Sequence, residues 1–543
     1  MIIEWLKKHK YIAGIFAVAL IAIVYSSCDI TNPTQNIAVI FNTLSIKTNA
    51  SVNFVDAATG VQIGTSSQSV LVNVNFTGPG ASQIVSSLDV PETSTSTNFG
   101  VTTFGVNDNF TPSAQNPVQV TIVASSSGYQ TTSLPILIQS TGNTSYTISM
   151  VKISAPPAGS STGQTSTPVQ TNSSGQTASS INVQTNVEPT SHGSATLSVP
   201  TGTGITDASG QPLSGSLTAT VTYTSGAGTS NNGSIPTGLS VGVINQDQST
   251  SQGYIQPAAF ATFTITSSNG QLAKNFSSPI TLSMVVPGTT INQTTGVAIV
   301  SGDVVPIYSF DESSQAWKFE TNANATGPDA NGNFTLTFQT THLSNWLAGW
   351  MLSGGKICTN NVTLNITGSF SALTLKLKCV GQTILTENVT SGQNSLTFKN
   401  LTLPKGVPVT LEAWSLLECP ATLVGTTTVQ DLCSVNTINL PVNASGNRTD
   451  VAVDVTASCP HLNPPVQVKP SGYTIYVMSP CGNIDVGTVN NGSIILHGFL
   501  MGGTYTFGMV YKNDIYTQDH TVQQSSYSYQ FTISDSVCNA DFK

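Results

Sequence analysis

The sequence predicts an all-β protein, built as tandem β-sandwich modules behind an N-terminal signal helix. Three observations predict it. Apolar side chains recur at every second position: Val70, Val72, Val74 and Phe76 alternate with Leu71, Asn73 and Asn75. Val118, Val120 and Ile122 repeat the pattern, as do Tyr146, Ile148 and Met150. A period of two places one residue set on a single face of a half-buried strand. The strand-like runs are short and separated by Gly, Asn, Ser and Pro, the punctuation of stacked sandwiches. Finally, only 8% of the 543 residues are charged while 39% are hydrophobic. That length suits about three to five domains.

The first element is the export signal, residues 1–27. Lys7, Lys8 and Lys10 precede an uncharged run, residues 11–24, and Tyr25, Ser26 and Ser27 lead into Cys28. A basic start, an apolar stretch and small residues before a cut make an export signal. The run is shorter than the roughly 20 residues a spanning helix needs. YSSC resembles the cleavage box of bacterial lipoproteins, with Tyr25 where an aliphatic residue is usual. The resemblance implies acyl chains on Cys28, the membrane as partner, and a place in the bacterial envelope, at the outer membrane or cell surface. An ordinary signal peptide with Cys28 incidental, or an uncleaved anchor, are the alternatives.

Residues 34–153 form the first module, with SVNFVDAATGVQIG reading as strand, turn, strand. Its layout resembles the carboxypeptidase regulatory-like (transthyretin-like) and Ig-like sandwiches of exported proteins. Residues 154–180 are rich in Ser, Thr, Gly and Pro and read as a flexible linker. The second module, 181–350, carries strand-like runs separated by the turns DASGQ, DESSQ and DANGN. Two smaller modules follow, 351–457 and 458–543. LTLKLKCVGQ…SLTFKNL…VPVTLEAW and YTIYVMSPCGN…SIILHGF…TYTFGMVY share one order of strand, cysteine, turn, strand and strand, which points to an internal duplication.

Seven cysteines follow Cys28, all in the last two modules: Cys358, Cys379, Cys419, Cys433, Cys459, Cys481 and Cys538. In an oxidising compartment they are disulfide candidates, and an odd number leaves one thiol over. Cys358–Cys379 and Cys419–Cys433 are the pairings suggested by proximity, which spacing alone does not establish. No CxxC pair and no clustered histidines support zinc.

Charge excludes one class of partner. The net charge is −9, and removing residues 1–27, with three lysines and one glutamate, lowers it by two to −11. Arg448 is the only arginine. No basic stripe is available for nucleic acid. Paired carboxylates, a nucleophile elbow and a phosphate-cradling loop are also lacking, so no cofactor is expected.

One local motif carries a mechanism. His342, Leu343 and Ser344 in THLSNWL resemble the cleavage tripeptide of GAIN-type autoproteolytic domains. That resemblance implies attack of Ser344 Oγ on the Leu343 carbonyl with His342 as base. The cysteine and tryptophan pattern that precedes such sites is absent, and the competing role is a closing strand with Leu343, Trp346 and Leu347 in the core. Asp329, Asn331 and Asn333 imitate half a calcium loop without its later glutamate, and Asn-Gly there suffices for a hairpin, so no metal is expected. Trp317, Trp346, Trp350 and Trp414 are candidate sugar platforms set against the usual burial of Trp. Trp350, shortly before Gly354 and Gly355, is the one expected to be exposed.

These readings converge on a lipid-anchored envelope protein without catalytic activity, acting in adhesion or in binding an extracellular protein or glycan. The disulfide-bearing C-terminal modules are expected farthest from the membrane. Self-processing at Leu343–Ser344 and a purely structural envelope scaffold are the alternatives.

Overall fold

The computed structural model describes residues 39–42, 46–64, 70–86, 90–97, 100–113, 115–226, 235, 239–312, 314–379, 382–462, 465–470, 474–480, 484–511, 514–532, 535 and 538–539. The signal, Cys28 and Cys481 lie outside them. The described residues are all-β, arranged in several separate sheets. The chain divides into two compact units. The larger comprises 44–454 and 471–528, and the smaller 1–43, 455–470 and 529–543.

Within the larger unit, residues 48–150 make a sandwich of two four-stranded sheets. One orders Ile84–Val85, Val101–Val106, Thr48–Asp56 and Gly142–Met150, and the other Ser94–Thr97, Val72–Thr77, Val118–Ser126 and Thr132–Ile138. Val72, Val74 and Phe76 are buried while Asn73, Asn75 and Thr77 are exposed, as their alternation predicts. They join Phe54, Phe104, Val120 and Ile122 in one core.

Residues 357–441 repeat this topology. The strand Ile357–Thr367 lies between Ser395–Pro404 and a parallel Thr437–Pro441, as Thr48–Asp56 lies between Val101–Val106 and a parallel Gly142–Met150. The facing sheets agree as well: Gln382–Val389, Leu373–Cys379, Val409–Ser415 and Leu423–Val429 stand in the order of their counterparts. A third copy has Ile484–Thr488, Thr474–Met478, Thr504–Tyr511 and Asp514–Thr521 in one sheet. Arg448–Cys459 takes the central place in the other, between Ser493–Leu500 and Ser526–Thr532. The duplication seen in sequence is therefore a triplication that includes the first module. Arg448–Cys459 opens the last sandwich, which corrects the boundary placed at 458. The reason is register, since Val451, Ala452 and Val453 pair with Leu496, Ile495 and Ile494.

Residues 160–352 form a larger thirteen-stranded assembly. Its core holds Leu197, Val221, Phe263, Leu282, Leu336, Trp346 and Trp350. The linker expected at 154–180 is corrected here. Ser160–Gln164 and Val169–Thr171 are strands, both antiparallel to Gly215–Ser225. Hydroxyls replace hydrocarbon in this burial: Ser160 Oγ bonds Thr224 Oγ1 at 2.9 Å and Ser161 Oγ bonds Thr185 Oγ1 at 3.2 Å. Small polar side chains can be buried when their partners are supplied. Gly163 serves close approach, because a Cβ there would stand 2.1 Å from Gln184 O.

A second core crosses from this assembly into the following sandwich. Tyr254, Phe260, Phe310, Trp317 and Leu347 pack in one cluster with Leu375, Leu377, Leu411 and Cys379.

In the smaller unit, Val39–Asn42 pairs parallel with Val466–Lys469, which pairs antiparallel with residues 457–459. Cys459 and Cys538 form a disulfide in this unit.

Candidate functional site

A cleft of about 630 Å³ opens between the first sandwich and the thirteen-stranded assembly, inside the larger unit. Its position follows from two turns. DESSQ, entering after the strand Val304–Asp311, carries Glu312 and Gln315 to the first sandwich, where Gln315 Nε2 donates to Ile136 O at 3.1 Å. Thr121 Oγ1 donates to Glu312 O at 3.2 Å. Gln130, 3% exposed, makes the neighbouring bridge by donating to Thr264 Oγ1 at 2.9 Å and accepting from Thr222 Oγ1 at 3.2 Å. DASGQ supplies Asp207, Ala208 and Ser209 to the cleft wall, and Asp207 Oδ1 accepts the turn N–H groups of Ser209 and Gln211.

The charged feature of the wall is Lys274 Nζ, 3.1 Å from Glu312 Oε1, with both side chains a little over a quarter exposed. Ser133 Oγ donates to the same carboxylate oxygen at 3.2 Å. Asn345 accepts from Thr262 at 2.8 Å through Oδ1, and Gln271 Oε1 accepts from Asn269 at 3.1 Å. Phe76 and Phe263 lie behind the wall, buried in the two cores. Sequence reasoning missed this site because its two walls lie far apart in the chain. The available signal was the scarcity of charge: Lys274 and Lys318 are the only lysines between 181 and 350.

Leu343 and Ser344 also line the cleft, whereas His342 faces elsewhere. The strand Phe334–His342 ends at the histidine. Its Nδ1 meets Thr340 Oγ1 at 3.1 Å, its Nε2 lies 3.7 Å from Glu320 Oε1, and its ring packs on Trp346. Burial pushes the imidazole below the usual histidine range, with Glu320 opposing this and Lys318 and Lys274 adding to it. Ser344 Oγ donates to Phe310 O at 2.6 Å. Leu343 is buried, and its N–H bonds Lys274 O at 2.9 Å. The three residues are thus held by different partners, and the imidazole is not brought to the Ser344 hydroxyl.

The expectation for Trp350 is corrected: it is 4% exposed. Its strand Asn345–Leu352 sends Trp346, Ala348 and Trp350 into one core and Leu347 into another, so both faces are covered. Trp317 and Trp346 are fully buried. Trp414 is half-buried, with its Nε1 donating to Glu412 at 2.9 Å and Lys376 Nζ 5.4 Å from the ring centre. Asp329 Oδ1 accepts from the N–H groups of Asn331 and Asn333, both at 2.8 Å, which makes the segment a hairpin turn.

The proposed cysteine pairings are also corrected. Cys358 bonds Cys433, not Cys379. Cys419 is disulfide-bonded, though not to Cys433. The reason is that Cys379 ends a strand with its side chain directed into the core, 1% exposed, where it stays a thiol whose pKa burial raises.

No family model matches the chain, and no curated protein matches it. Among solved structures, the Bacillus anthracis TIE protein is 8% identical, with 69% of this chain and 74% of that one covered and a TM-score of 0.13. The BSP domain of a biofilm-associated protein is 9% identical, covering 91% of this chain and 99% of that one, with a TM-score of 0.12. Likenesses of this size carry no argument about fold or function.

Proposed function

We propose that this is an exported, lipid-anchored protein of the bacterial envelope that binds an extracellular ligand and acts in adhesion without catalysis. The observation that carries the reading is the pair of disulfides, Cys358–Cys433 and Cys459–Cys538. Such bonds persist in oxidising compartments and are rare in the cytosol. The YSSC box supports a lipid on Cys28, and more than one acyl chain gives stable attachment where a single chain does not. Ser344, whose hydroxyl is spent on Phe310 O, supports a packing role for the HLS segment rather than self-cleavage.

A lipid on Cys28 would tether the smaller unit by a short segment. Val39 follows Cys28 by eleven residues, which span at most about 40 Å when extended. Val39–Asn42 pairs with Val466–Lys469, in the unit that also holds Cys459–Cys538.

Fractionation tests the proposal. Wild-type protein is expected in the membrane fraction and accessible to protease on intact cells, and Cys28→Ala in the soluble fraction. Wild-type protein found soluble in the cytosol would refute it. On a denaturing gel one intact band is expected, whereas two fragments that vanish in Ser344→Ala would establish self-processing instead.

A further inference from the structure

We propose that the cleft between the first sandwich and the thirteen-stranded assembly binds a neutral oligosaccharide, with Lys274 and Glu312 engaging its hydroxyl groups. This deepens, and rests on, the reading of the chain as an extracellular binding protein.

Position and size come first. Small-ligand sites favour domain interfaces and occupy about 300–1,000 Å³, and this cleft of about 630 Å³ lies between two β-layers of one compact unit. Its polar groups then select the ligand. Lys274 spends one N–H on Glu312 and has two more. Asn345 and Gln271 use their carbonyl oxygens on Thr262 and Asn269, and neither amide nitrogen has a partner among the described residues. The wall therefore offers spare donors beside a carboxylate with spare lone pairs. A sugar hydroxyl both donates and accepts, so adjacent hydroxyls can satisfy ammonium, amide and carboxylate together.

Charge narrows the class further. Lys274 and Glu312 neutralise each other, and Asp207 stands on the same wall with one oxygen committed to its turn. An acidic ligand meets two carboxylates for one ammonium, in a chain whose net charge is already −9. A basic peptide would compete with Lys274 for Glu312. A neutral polyhydroxylated ligand disturbs neither group.

Calorimetric titration of the detergent-solubilised mature protein tests this with cellohexaose, mannohexaose and chitohexaose as neutral probes. Hexagalacturonate and hexaglutamate are the acidic probes, and hexalysine the basic one. At least one neutral probe is expected to bind saturably. Ala208→Trp, which places an indole at the cleft mouth from an exposed turn, is expected to weaken it at least tenfold with thermal stability unchanged. Lys274→Met is expected to weaken it about fivefold, and Trp414→Ala to leave it unaltered. Absence of binding by every neutral probe, tighter binding of a charged probe, or equal affinity in Ala208→Trp would each overturn the proposal. Display on intact cells is measured separately, so the extracellular reading and the cleft assignment fail independently.

Discussion

Arg448, the chain's only arginine, donates from one guanidinium nitrogen to Glu418 and Ser445 O and from the other to Gly498 O, with its side chain 5% exposed. Removing one partner of a buried pair leaves an uncompensated charge, so Arg448→Ala is expected to cost about 3–5 kcal/mol, read by urea unfolding. Burial alone would raise the Glu418 pKa, but hydrogen bonds from Thr422 and Arg448 hold it below the usual carboxylate range. A depressed carboxyl stabilises the fold fully above its unfolded pKa. Its contribution should therefore fade as pH drops below about 4.5, a loss that a pH series on Glu418→Gln should lack. Gly163 offers a second test. In a linker Gly163→Ala would be neutral, but beside Gln184 O it should lower the melting temperature. Residue-scale burial was partly legible: alternation identified Val72, Val74 and Phe76, whereas Trp350 was misjudged because nearby glycines mask a strand covered on both faces.

Strands 160–164 and 169–171 were illegible as elements because composition scales equate burial with hydrocarbon. In the first, the Ser160 and Ser161 hydroxyls are buried by pairing with Thr224 and Thr185. Deleting residues 160–171 is thus expected to lower the melting temperature and open the second module to protease, where loss of a linker would do neither. The repeated topology was partly legible, since the cysteine-bearing halves share a strand order that could be read directly. The first module lacks those cysteines, and its kinship lies in pairing order alone. The Cys358–Cys433 disulfide joins residues 75 apart. A loop of that length is worth about 4 kcal/mol in the chain-entropy account, so Cys358→Ala with Cys433→Ala should lose about that much, measured by calorimetry.

At the scale of the molecule, the thirteen-stranded assembly and the sandwich after it share a core, which no single-module reading of the sequence anticipates. Truncation after residue 353 would strip the core around Phe260, Trp317 and Leu347 of the strands Ile357–Thr367 and Ser395–Pro404. The truncated chain should aggregate, and in the intact protein the two bodies should unfold in one transition. The cleft belongs to this scale too, since its walls come from distant turns that only the assembled unit brings together. Anchoring is the claim on which the functional account turns, and the mass of the mature protein isolated from membranes tests it most directly. The account predicts a polypeptide beginning at Cys28 and heavier than its amino acids by a diacylglyceryl group and a further acyl chain. A mass equal to the bare polypeptide would contradict it.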